Sequence, residues 1–198
     1  MFIVTADQRD SRNNEDLVPS GLEAVAHIGG GRLDAAPDRT AGDELQLATS
    51  DPQATLAIVL HLTRLGTWSV GVGVGPVDTP LPSSVRAGRG SAFVHARDAV
   101  ERAKRATTRL AITGDDATDA ESLVRLLVEL RDRRSVEGWE VYDLLADGLS
   151  QRDAAERLSI SEGAVSLRAK AAGLRAEEAA VPAIERVLER ADRADPAA

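Results

Sequence analysis

Three groups of residues in this chain have types and spacing that could do chemistry. Asp7 closes an apolar run in "FIVTADQRDSR", and Asp43 opens another in "GDELQLA", directly after a glycine that allows a tight turn. Carboxylates at the ends of neighbouring strands can hold one or two Mg²⁺ ions on a nucleotide triphosphate. Ordinary strand-end turn chemistry also explains both residues, and the two readings stay open. The second group is "GRG", Gly88 to Gly90, just before Ser91. It either presents Arg89 and backbone N–H groups to a phosphate at a helix N-terminus or forms a flexible loop. The third is "LSQRDAAERLSISEGAVSLRAKAAGL", Leu149 to Leu174, whose capping, turn and small residues predict two short helices meeting at a sharp turn.

Other candidates carry less. His27, His61 and His95 fall on separate predicted helices without metal-ligand spacing. The glycines of "GVGVGP" recur at every second position, which puts them on one face of a strand. That pattern predicts close packing by another element and not a phosphate-binding loop.

The elements that must position these groups follow from periodicity. "FIVTA" (Phe2 to Ala6), "ELQLA" (Glu44 to Ala48), "WSVGVGV" (Trp68 to Val74) and "RLAIT" (Arg109 to Thr113) are short and β-branched or alternating, and predict strands. Asp51 caps a helix that opens with Pro52 and stops at Gly66, and Ser91 is expected to cap another in "SAFVHARDAVERAKRAT". Gly114 to Asp119 is polar enough for a linker. Beyond it only helices are predicted: about Ala120 to Arg133, Val136 to Ala146, the helix pair, and a tail helix after Pro182 with Ile184, Val187, Leu188 and Ala191 on one stripe. The expected fold class is therefore α+β, with an N-terminal α/β domain over 1–116 and a helical domain over 117–198.

Composition narrows the function. With 24 Lys plus Arg against 32 Asp plus Glu, the net charge is −8, the wrong sign for a general polyanion binder. Aromatic residues make up only 3%, too few rings for a base-stacking platform on RNA or single strands. The absence of cysteine excludes disulfides and thiolate zinc sites. No basic leader with an apolar run and no apolar stretch near the ~20 residues of a bilayer span is present, so a cytoplasmic protein with no membrane partner is expected.

In the helix pair, Ser150 and Asp153 form a capping pattern, Ala154, Ala155 and Leu158 point inward, and Ile160 plugs the core from the turn. Ser161 caps the second helix, where Val165 and Ala169 share the buried side. This resembles the helix-turn-helix of bacterial transcription regulators of the sigma-region-like and winged types, over about 24 residues without a gap. The resemblance implies that the second helix enters the DNA major groove. Glu162, Gly163, Ser166, Leu167 and Lys170 would face the bases, Arg152, Arg168 and Arg175 would lie near phosphates, and the cap Ser161 would belong to the DNA-binding surface. It departs at Ser159, where such turns usually carry glycine, and at Glu162 and Leu167, where polar or basic groups are common. From Ser135 to Arg175 five basic residues face seven acidic ones. A monomer would therefore make few phosphate contacts and bind weakly, so a homodimer on double-stranded DNA is expected.

The N-terminal half resembles a second family. The opening strand with "DSR", then "GDELQ", "GVGVGPV" and "GRGSAFVHAR" follow in order the SatD family of bacterial proteins. The plan is similar to class III nucleotidyl cyclases and polymerase palm folds. That similarity implies a metal-ligand role for Asp7 and Asp43, an Mg²⁺-bound nucleotide, and a small anionic or nucleotide ligand near Arg89 and Arg97. Phe93 stands where the cyclase helix would carry an asparagine four residues before Arg97, and an apolar group there cannot stabilise charge developing on phosphate. The chain is thus expected to be a regulator and not an enzyme. The alternatives are a metal-dependent nucleotide enzyme and a protein-interaction adaptor.

Overall fold

A run such as "FIVTADQ", with β-branched Ile3, Val4 and Thr5 in succession, favours the pleated conformation, and it forms β1 (Phe2–Gln8) at the centre of a five-stranded sheet. A computed structural model describes residues 1–40 and 42–193. Among these the chain is a mixed α+β structure of five strands and eight α-helices. It divides into two compact units, Met1–Arg125 together with the segment from Ile184, and Leu126–Ala183. The end of the helical domain expected from sequence, residues 194–198, lies outside the described residues.

In the first unit β3 (Glu44–Thr49) and β4 (Trp68–Val74) flank β1, both antiparallel to it. β2 (Ala35–Arg39) pairs with β3 at one edge, and β5 (Leu110–Thr113) runs parallel to β4 at the other. The alternation of side chains gives the sheet two faces. Leu45 and Trp68 meet Gly21 of α1 (Val18–Gly29) on one face, where α2 (Pro52–Arg64) also packs. Ile3, Gly71 and Gly73 lie under α3 (Ser91–Ala103) on the other. A Cβ on Gly71 would sit 2.2 Å from the Val100 nitrogen, and one on Gly73 2.0 Å from the Ala92 oxygen. The alternating glycines therefore let the α3 backbone rest directly on β4, as their spacing predicts, and Ala92, Ala96, Ala99 and Ala103 complete the contact. Asp51 caps α2, its side chain accepting from the Ala54 N–H at 2.9 Å.

Ser91 is not the cap of α3. The N-cap is Gly90, whose φ of 122° and close approach to Pro76 and Val77 leave no room for a side chain, and Ser91 Oγ instead donates to the Pro76 carbonyl. β2 is a strand that the sequence pattern hides, because Pro37 and its mostly part-exposed residues give no alternation. α4 (Thr118–Asp132) begins inside the expected linker. Its buried Glu121 accepts the Ile112 N–H at 2.8 Å and two hydrogen bonds from Arg102 at 2.8 Å, which ties the first turns of α4 to β5. The two compact units divide within α4, after Arg125.

The second unit holds α5 (Val136–Ala146), α6 (Gln151–Leu158), α7 (Glu162–Ala171) and the first part of α8 (Leu174–Arg193). No strand occurs in it among the described residues, so the helix pair is plain and not winged. Val141, Ala154, Ala155 and Val165 form its core, with Leu144, Leu158 and Ile160 packed around them. Beside this core lies a buried ionic cluster: Arg131 and Arg134 both donate to Glu177, Arg134 Nε donates to the Ala172 carbonyl at 2.8 Å, and the guanidiniums stack 4.8–5.1 Å from the centres of Trp139 and Tyr142. Pro182 does not begin the tail helix but lies within α8. Its side is exposed, so the carbonyl its missing N–H leaves free can face solvent.

Candidate functional site

The helix pair is built by local hydrogen bonds at fixed spacing. Ser150 Oγ accepts from the Asp153 N–H at 3.2 Å, and the Asp153 carboxylate accepts from the Ser150 N–H and hydroxyl at 3.3 and 2.7 Å, a complete capping box. Those bonds, the hydroxyl first, hold the Asp153 carboxyl below its ordinary range. Ser159 ends α6 in the left-handed conformation, at φ 55° and ψ 42°, the geometry for which such turns favour glycine. Ser161 caps α7 through the Ala164 N–H at 3.2 Å.

With Val165 wholly buried, the opposite side of α7 is left to solvent. Glu162, Gly163, Ser166, Leu167 and Lys170 are all exposed, Leu167 at 70%. Ser166 and Lys170 line a groove of about 380 Å³ together with Gln151, at the start of α6, and Arg175, at the start of α8. The structure thus brings together Ser166, Lys170 and Arg175. Gln151 is an addition that sequence reasoning missed, although its place directly after the Ser150 cap was a usable signal. Arg168 does not join them, since it pairs with Glu140 of α5 at 3.3 Å. Arg152 pairs with Glu156 at 3.4 Å on the open surface.

In the first unit, Asp7 and Asp43 sit at the same end of β1 and β3, where the Gln8 N–H donates to the Asp43 carbonyl at 2.9 Å. Burial raises the Asp7 carboxyl above its ordinary range, Lys104 opposes that shift, and the charge of Asp43 adds to it. Lys104 Nζ lies 3.0 Å from Asp7 Oδ2 and 2.8 Å from Glu101 Oε1, so an ammonium supplies the positive charge beside Asp7. Asp43 accepts from the Ser11 hydroxyl. No group of three or more His, Cys, Asp or Glu suited to a metal ion occurs among the described residues.

Arg89 and Arg97 lie apart from this pair, lining a cleft of about 680 Å³ between α3, β3 and the loop before α3. Arg86, absent from the sequence candidates, joins them there, as do Phe93, Glu44 and Gln46.

No family model matches the chain, so the SatD resemblance rests on the strand and turn motifs alone, and no curated protein matches it. Among solved structures, the chain is similar to a regulator of polyketide synthase expression from Bifidobacterium adolescentis, with 15% identity over 96% of this chain and 79% of that chain. The TM-score is 0.30, a superposition too loose to transfer either fold or function. Among the described residues no helix is long and apolar enough to cross a membrane.

Proposed function

We propose that this chain is a DNA-binding transcriptional regulator whose α7 enters the major groove of duplex DNA. The observation that carries the reading is the division of α7 into a closed inner side, Val165 packed among Ala154, Ala155 and Val141, and an open outer side bearing Glu162, Gly163, Ser166, Leu167 and Lys170. Ser166 and Lys170 have the hydrogen-bonding groups to read base edges, Gly163 lets the backbone approach, and Leu167 suits contact with a thymine methyl. Arg175 and Gln151 line the groove beside Ser166 and Lys170 and are suited to phosphates, and Arg152, on the first helix of the pair, is assigned the same role. So few cations give one copy little affinity, and two copies on adjacent half-sites supply the remainder.

Selection from a random duplex library tests this directly. The expected product is a motif repeated at a spacing of about 10 base pairs or a multiple of it. Lys170→Ala with Ser166→Ala should then weaken binding to that motif at least about tenfold, since a good base contact contributes about 1–3 kcal/mol, while the melting temperature stays put. Failure of any sequence to enrich, or unchanged affinity in the double variant, refutes the assignment.

A further inference from the structure

The cleft beside α3 has the construction of a ligand site. Arg86, Arg89 and Arg97 reach it from three separate backbone positions: a short 3₁₀ turn, a loop and a helix. None of the three makes an ion pair with a described residue. Glu44 is the one carboxylate among the lining residues, and the Thr40 hydroxyl donates to it. Three guanidiniums gathered around one cleft repel one another, and in a chain of net charge −8 that concentration runs against the general charge balance.

The arginines are also held in place. Gly88 lies flat on the Phe93 ring, where a Cβ would come within 2.1 Å of it. Gly90 requires its positive φ and contacts the Pro76 and Val77 backbone, and the Arg89 carbonyl accepts the Asp78 N–H at 2.9 Å. Arg89 is therefore bracketed by two positions that exclude side chains, with its own backbone pinned. Val85, next to Arg86, is fully buried, and Ser84 donates to Asp38 at 2.6 Å, which fixes the third arginine's turn. Arg97 projects one turn of α3 beyond Phe93.

We infer that this cleft binds a phosphorylated small molecule of nucleotide size, its phosphoryl groups held by Arg86, Arg89 and Arg97 and its apolar part against Phe93. Guanidiniums bind phosphoryl oxygens through paired N–H donors, and a cleft of about 680 Å³ falls within the range of small-molecule sites. The inference concerns the first unit and stands whether or not α7 reads DNA. It involves neither Asp7 nor Asp43, and no metal.

The test uses the full chain and a fluorescent ATP analogue in excess EDTA, followed by anisotropy, with unlabelled ATP as competitor. Saturable binding is expected, weakened at least about tenfold in Arg89→Gln and in Arg97→Gln with the thermal unfolding curve unchanged, because both side chains are exposed. Arg105→Gln, on the same helix region but outside the cleft, should bind as the wild type does. Absence of binding at millimolar ATP overturns the inference. So does binding retained in the Arg89→Gln, Arg97→Gln double variant, or an equal loss in Arg105→Gln, which would reduce the effect to general charge.

Discussion

Replacing Glu177 by glutamine should cost the second unit most of its stability. The carboxylate sits between two guanidiniums whose side chains are 6% and 0% exposed, and it is itself 7% exposed. Glutamine keeps the shape but removes the charge that both guanidiniums bond, so Arg131 and Arg134 face each other as buried like charges. The rings of Trp139 and Tyr142 attract them from one side but do not neutralise them. Breaking one side of a buried pair costs about 3–5 kcal/mol. A unit of about sixty residues has a total stability of roughly 3–9 kcal/mol, so the loss is comparable with the whole. Amide hydrogen exchange of α5, with urea titration by circular dichroism, should show that helix opening freely in Glu177→Gln while β1 and β4 stay protected. The triple change Arg131→Met, Arg134→Met, Glu177→Leu should restore most of the protection, because apolar residues of similar volume replace such clusters at little cost. A loss below about 1 kcal/mol in the single variant would show that the charges are not effectively desolvated, and the reasoning would fail.

Three further outcomes are expected. Gly73→Ala places a methyl 2.0 Å from the Ala92 carbonyl oxygen, forcing α3 off the sheet, and should destabilise the first unit by about 3 kcal/mol in urea titration. Ser159→Gly should stabilise the helix pair by about 1 kcal/mol, since the left-handed conformation penalises any Cβ, and a neutral or destabilising result would contradict the turn geometry. Because the folded Asp7 carboxyl titrates above its ordinary 3.8, its neutral form favours folding at low pH. That contribution is lost as pH rises from about 4 through the raised value, so Asp7→Asn should gain stability relative to wild type over that interval, and parallel pH profiles would exclude the effect.

Much of this architecture was legible because short-range chemistry determined it. The alternating glycines of β4, the Asp51 cap with Pro52, and the Ser150, Ala155, Ile160 and Val165 pattern of the helix pair each depend on neighbours within one or two turns, and each took the predicted form. The missing parts depend on partners distant in sequence. Glu177 meets Arg131 across 46 positions, and charged residues destined for burial follow the same spacing as those left in water. Lys104 reaches Asp7 by the same kind of long-range meeting, and the shared cleft of Arg86, Arg89 and Arg97 depends on the loop path set where Gly90 meets Pro76 and Val77. Pro182 misled for a different reason. On a solvent-facing side of α8 its usual power to begin or end a helix was overridden by the continuous apolar stripe of Ile184, Leu188 and Ala191.

The bond from the Ile112 amide to Glu121 bears on how this molecule can be cut and how it meets its own copies. β5 is an outer strand, and an outer strand with open amides invites another chain to add to it. Here a side chain from α4 acts as a stopper, and Arg102 and Arg125 hold the stopper in place. A fragment ended at the polar segment before Thr118, where the sequence invites truncation, would discard the stopper and keep the strand. Such a fragment should come out of the cell as a sticky, self-adding sheet, whereas the intact chain, which keeps Glu121 on the Ile112 amide, should stay dispersed. In the intact chain Glu121 already takes the outward Ile112 amide, so a strand added at β5 would have to displace it.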